Sequence, residues 1–220
     1  MLGVKELTPA DKLRLRLRYH PVRVMIWLVI LGITSAFLTL VFSYFATTAG
    51  TVWNDFRLPP IFHANTIIIL ASSYTVMQMR QAYRRHDHAG YRQALLITAG
   101  LGVAFTAFQV MGWTELLRQG IGFRSQISGS YLYLISGLHL AHLLAGVGFL
   151  LYFLYRAYVV DADAYAQLMF DTDPVTSLRV EMLGIYWHFV DVLWLFLYGC
   201  FMLALYVVPH SAEGWFLRSF

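Results

Sequence analysis

The sequence predicts an all-α integral membrane protein, a bundle of five transmembrane helices with its N-terminus in the cytoplasm and its C-terminus in the periplasm. Three observations predict it. Hydrophobic residues make up 59% of the 220-residue chain and charged residues only 13%, where a soluble domain carries about a quarter charged. Apolar runs near the ~20 residues that span a bilayer recur five times along the chain. The basic residues are sorted onto alternate joints between those runs, with 12 of the 16 Lys and Arg on one side. The positive-inside rule places that side in the cytoplasm.

Residues 1–23 form a basic cytoplasmic segment carrying Lys5, Lys12, Arg14, Arg16, Arg18 and Arg23. Lys5 to His20 is polar and basic where a secretory leader would carry its apolar stretch, so no such leader is expected. Thr8, Pro9 and Asp11 have the look of a helix start, yet Leu13, Leu15 and Leu17 alternate with arginines at strand spacing. A segment lying on anionic headgroups or docking to a partner subunit fits this pattern. The membrane domain, 24–208, holds spans near Val24–Ala46, Phe62–Met79, Ala94–Trp113, Tyr131–Tyr155 and Leu183–Val208. Residues 209–220 form a periplasmic tail. The formal charge of +4 thus records topology and gives no reason to expect nucleic-acid binding. Trp27, Trp53, Trp113 and Trp215 fall near span ends, as interfacial belt residues do. The single cysteine, Cys200, excludes an intrachain disulfide framework and a cysteine metal site.

Ionisable residues inside a membrane are costly, about 2.5–3.5 kcal/mol on insertion scales, and mark structure or function. The first span has none. The fourth carries His139 and His142, and the fifth carries His188 and Asp191 in "IYWHFVDVLWLFLYG". Gln109 lies in the third, and Asn65, Thr66, Ser72 and Ser73 lie in the second. Helical rise puts His142 and Asp191 at similar depth, and consecutive antiparallel helices pack together. A contact between His139 or His142 and Asp191 is therefore expected. A structural hydrogen-bond cluster, a proton relay and a metal or haem site all remain open on spacing alone. The glycines in "GLHLAHLLAGVGFL" suggest close helix contact. "DADAYAQLMFDTD" reads as a solvated acidic loop, and "RRHDHAGYR" sets His86 and His88 among arginines that disfavour bound cations. Glu181, at the mouth of the fifth span, could hold a headgroup or be solvated.

Four stretches resemble the subunit III family of haem–copper oxidases. "YWHFVDVLWLFLYG" (Tyr186–Gly199) is similar to its signature, and "GLHLAHLLAG" (Gly137–Gly146) to its paired-histidine segment. "LGVAFTAFQ" (Leu101–Gln109) and "NTIIILAS" (Asn65–Ser72) resemble two further helices, in the family's order. Glu181 also falls where the family carries a glutamate. The resemblance implies a non-catalytic subunit of a proton-pumping cytochrome c oxidase of the aerobic respiratory chain, multi-pass in a bacterial inner membrane. Such a subunit packs mainly against subunit I, with subunit II, small subunits or a supercomplex as further partners. It binds no cofactor directly: haem and copper belong to the partner subunits, and structural phospholipids bind it. It supports proton uptake and stability of the complex. Subunit III of a quinol oxidase and the accessory subunit of a nitric oxide reductase are the alternatives.

On this resemblance, His139, His142, His188, Asp191 and Gln109 become the structural polar cluster of the bundle, with no catalytic or metal residue. Arg80, Arg84, Arg85 and Glu181 become candidate lipid-headgroup contacts. Departures also count. On the same resemblance the two leading helices of the long family form are expected to be missing, Thr34 stands where that form buries a glutamate, and Gly112 stands where a glutamate often follows the helix glutamine.

Overall fold

The computed structural model describes residues 20–48, 58–122, 127–161 and 163–207. The basic leader, Trp53, Trp215 and the 209–220 tail lie outside them. Five long helices and one short one make up the regular structure of the described residues. They are α1 (Pro21–Thr48), α2 (Ile61–Arg84), α3 (His88–Arg118), α4 (Ile127–Asp161), α5 (Ala164–Thr172) and α6 (Pro174–Val207). There is no strand among them.

Local chemistry sets the boundaries. Pro59 and Pro60 precede α2, where a missing backbone N–H is harmless. Asp87 caps α3 by accepting from the Gly90 amide at 2.9 Å, and Asp163 caps α5 through the Tyr165 amide at 3.0 Å. Asp173 caps α6, accepting from the amides of Val175 at 3.1 Å and Thr176 at 3.0 Å and from the Thr176 hydroxyl at 2.6 Å. Those donors, the hydroxyl foremost, hold the Asp173 carboxyl below its usual value.

The turn from α2 to α3 is unusually tight. The Asp87 amide donates back to Ala82 at 3.0 Å and the His86 amide to Tyr83 at 3.1 Å, the paired bonds of a Schellman cap. That motif requires a left-handed residue, which is His86 at φ 57°. A side chain there costs about 1–3 kcal/mol where glycine would be free of it. Asp87 closes α2 and opens α3 at once.

α2 and α3 form an antiparallel hairpin, α4 packs on α3, and α6 lies against α1, α2 and α4. The largest wholly buried side chains, Trp187 and Trp194, come from α6. Gly146 of α4 lets that layer close: a Cβ there would sit 3.2 Å from the rings of Tyr186 and Trp187. Gly148, in the same stretch, has open space instead, so its small size serves no helix contact among the described residues.

The acidic stretch after α4 is a correction. It forms α5 rather than a loop, because Phe170 buries its ring against Tyr83 and Tyr91 at 5.4 and 6.0 Å, and Asp163 and Asp173 cap or close its ends.

Four of the helices, α1, α3, α4 and α6, are long and apolar enough to cross a membrane. α2 is long enough at 24 residues, but Asn65, Thr66, Ser72, Ser73, Thr75, Gln78, Arg80 and Gln81 dilute its apolar content.

Candidate functional site

Most of the polar side chains of α2 turn toward the bundle, and there they meet the signature stretch of α6. Asn65 and Ser72, seven residues apart, are buried. Ser72 Oγ accepts the Trp187 indole N–H at 3.1 Å, donates to the Ile69 carbonyl at 2.8 Å and stands 3.4 Å from Asp191 Oδ1. Ser73 Oγ lies 2.7 Å from His188 Nδ1. One turn further along, Trp194 donates to Thr66 Oγ1 at 3.3 Å, and the Tyr198 hydroxyl meets His63 Nδ1. Towards α3, the Asn65 amide donates to Gln109 Oε1 at 3.0 Å, and Thr75 and Thr98 share a hydrogen at 2.8 Å. A helix pair in a bilayer is stitched by such bonds at about 0.6 kcal/mol each, rarely above 1.7.

The expected histidine–aspartate contact is not a hydrogen bond in this arrangement. Asp191 reaches Ser72 of α2. His142 Nδ1 lies 2.7 Å from the Leu138 carbonyl of its own helix, and its ring meets Phe37 of α1 edge-on at 5.8 Å. His139 is wholly buried, with neither ring nitrogen hydrogen-bonded, between Trp194 at 5.2 Å and Phe105 at 5.8 Å. The reason is azimuth. Helical rise fixes depth, but each residue also turns about 100° around the axis, and the α6 side facing His139 carries Trp194. Five residues were named from the sequence as one cluster. They divide into His188–Asp191 with α2 serines, Gln109 with Asn65, and two imidazoles among aromatic rings. Ser72, Ser73, Thr66 and Trp187 are the partners that spacing did not assign. The i, i+7 repeat of Asn65 and Ser72 was the available signal.

The headgroup candidates also separate. Glu181 pairs with Arg23 of α1 at 3.2 Å. The stem of Arg80 lies across Gly184, so close that a Cβ there would fall 2.6 Å from Arg80 Cδ. Arg84 and Arg85 are exposed. A groove of about 740 Å³ runs between α1, α4 and α6, walled by Ile26, Phe149, Tyr152 and Tyr186, and its cation is Arg179. Near the α2–α3 turn, His86 Nδ1 and His88 Nε2 each lie 3.3 Å from Asp171 Oδ2 of α5. Arg92 pairs with Asp161 close by. No group of three metal-ligating side chains is arranged to hold an ion among the described residues.

A search against protein families matches the model for cytochrome c oxidase subunit III over residues 19–206. The chain belongs to that family. Curated relatives, each named cytochrome c oxidase subunit 3, agree. The Anopheles gambiae protein is 33% identical over 146 residues, covering 66% of this chain and 50% of its own length. The Corynebacterium diphtheriae protein is 30% identical over 162 residues, 70% of this chain and 74% of its own. The Synechocystis protein is 30% identical over 149 residues, covering 68% and 58% respectively. The chain thus spans about half the length of the insect relative and more of the bacterial ones. Membership, together with four apolar helices, makes it a multi-pass membrane protein of the subunit III family.

Proposed function

We propose that this chain is a non-redox subunit III of a haem–copper terminal oxidase, packed against the catalytic subunit I in a bacterial inner membrane. The observation that carries the reading is the family match over residues 19–206, which takes in the described helices but for the final residue of α6. In this reading α1, α2, α3, α4 and α6 all cross, with the N-terminus and the α2–α3 turn in the cytoplasm. α2 can do so because its polar groups bond within the bundle while Ile67, Leu70, Tyr74 and Met77 face outward. The residues 24–208 are the membrane domain, with the basic segment 1–23 on the cytoplasmic surface and 209–220 in the periplasm.

His188, Asp191, Gln109, His139 and His142 act as the bundle's polar and aromatic core and hold no metal. The chain's contribution is support for assembly and proton uptake by its partner. Phospholipid occupies the groove between α1, α4 and α6, with acyl chains on its aromatic wall and a phosphate at Arg179.

The test is purification of the tagged chain from native membranes in mild detergent. Co-purification with a haem-bearing catalytic subunit is expected, with all haem absorbance following that subunit when the two are separated. A chain that purifies alone from membranes containing the oxidase, or keeps haem after separation, overturns the reading.

A further inference from the structure

α5 is apolar on both of its sides. Its inner side carries Phe170, buried against Tyr83 and Tyr91, next to Asp171, which faces His86 and His88. Its outer side carries Tyr165, Leu168 and Met169, which are 70%, 61% and 52% exposed and share one face at i, i+3 and i+4. Three large apolar side chains on one short helix face, with no charge among them, form a contact surface rather than scatter.

The surrounding charges select what covers it. Residues 161–173 carry four aspartates and no Lys or Arg. A helix that rests on a bilayer is rich in Lys and Arg on its polar side, and an anionic leaflet repels aspartate. Arg92 takes Asp161. Asp163 and Asp173, at the two ends of α5, are in no ion pair among the described residues. The surface therefore suits an apolar segment bordered by basic groups.

This chain has such a segment outside the described residues. Leu13 and Leu17 share a side at either helical or extended spacing, and so do Arg14 and Arg18. The segment leads into α1 at the α5 end of the bundle, because Arg23 of α1 pairs with Glu181 of α6 at 3.2 Å. Glu181 stands eight residues, about 12 Å of helix, from Asp173, where α5 closes. Leu17 and Leu13 precede Arg23 by six and ten residues, up to about 20 and 33 Å of chain. The reach covers the distance.

We propose that the segment Leu13–Arg18 docks on the outer face of α5 in the same chain. Its leucines lie on Tyr165, Leu168 and Met169, and its arginines lie at Asp163 and Asp173. α5 is then held from both sides, by the α2–α3 hairpin within and by the leader without. The docking does not depend on which way the bundle crosses the membrane, since the Arg23–Glu181 pair alone brings the two segments to one end.

The experiment uses the full chain with Cys200 changed to serine, carrying Leu15→Cys and Thr172→Cys, neither of which is a proposed contact. It is purified in detergent and in lipid nanodiscs and treated with a short bismaleimide. The two cysteines should join within one chain in both settings, at a yield independent of protein concentration. Arg14→Glu with Arg18→Glu should lower that yield about tenfold, the worth of two exposed ion pairs. Leu13→Ser with Leu17→Ser should lower it at least as much. A cross-link formed only between chains gives the face to a second copy and overturns the proposal. Loss of the cross-link in nanodiscs gives the face to the bilayer and overturns it as well. So does the absence of any cross-link in the purified chain, or a yield that neither pair of substitutions changes. Haem co-purification reports on the oxidase reading alone, so the two can fail separately.

Discussion

α1 and α2 are neighbours in sequence and opposite in construction. α1 is apolar around nearly its whole circumference and touches the bundle with Ile33, Phe37, Val41 and Tyr44, each buried. Its hydroxyls mostly bond back within the helix, as Thr34 does to the Ile30 carbonyl at 2.7 Å. α2, expected as the span Phe62–Met79, is the most polar of the five long helices, and it supplies a partner to the polar groups of both α3 and α6. One helix is held by shape and the other by hydrogen bonds. In a bilayer these are distinct strategies, because lipid competes with apolar contact but not with a serine–carboxylate bond.

The largest effect that would sharpen this contrast lies on α1. Phe37→Ala opens a cavity beside His142 and should cost about 3 kcal/mol of unfolding free energy, read by denaturant titration of the detergent-solubilised chain. On α2, Asn65→Leu strands the buried Gln109 amide at a cost of about 1–3 kcal/mol. The double variant Asn65→Leu with Gln109→Leu should recover at least half of that loss, a coupling that no partner of Phe37 should reproduce. Additive losses in the double variant would break the contrast. Smaller still is the α2–α6 contact: Asp191→Leu should destabilise by about 1 kcal/mol and Asp191→Asn by less, since an amide still reaches Ser72. In the proposed complex, Asp191→Leu should lower the assembled fraction before it alters turnover of what assembles, as assay per haem would report.

The smallest effect is outside the membrane. The Asp173 carboxyl titrates lower in the folded chain than its ordinary value of 3.8, first through the Thr176 hydroxyl. Its capping of α6 is therefore complete above that value and lost as pH falls through the lower folded one. Protection of the Val175 and Thr176 amides, relative to the free chain at the same pH, should hold down to about pH 4 and fall below it, and Thr176→Val should shrink that fall.

The contrast also separates what was legible in the sequence from what was not. α1, α3, α4 and α6 follow from apolar length; α1 matches its expected span to within three residues, whereas α3 and α4 run four to six residues beyond theirs at each end and α6 starts nine residues earlier, at Pro174. α2 was legible too, the expected span Phe62–Met79 lying wholly within Ile61–Arg84, although its polar residues make it the least apolar of the long helices. The pairing of Asp191 was not legible, because depth along a helix says nothing about azimuth and Trp194 takes the side facing His139. α5 was missed because its helicity depends on Phe170 inserting between Tyr83 and Tyr91. That contact lies about 80 residues away in sequence and leaves no local pattern.

The central claim is that α2 crosses the bilayer with its polar side chains turned inward. Labelling single cysteines from outside intact cells tests it most directly, using Pro60→Cys and His86→Cys in a chain whose Cys200 is changed to serine. A membrane-impermeant maleimide should modify the cysteine at position 60 in intact cells and the one at 86 only after permeabilisation. Modification of both positions from the same side would contradict the claim.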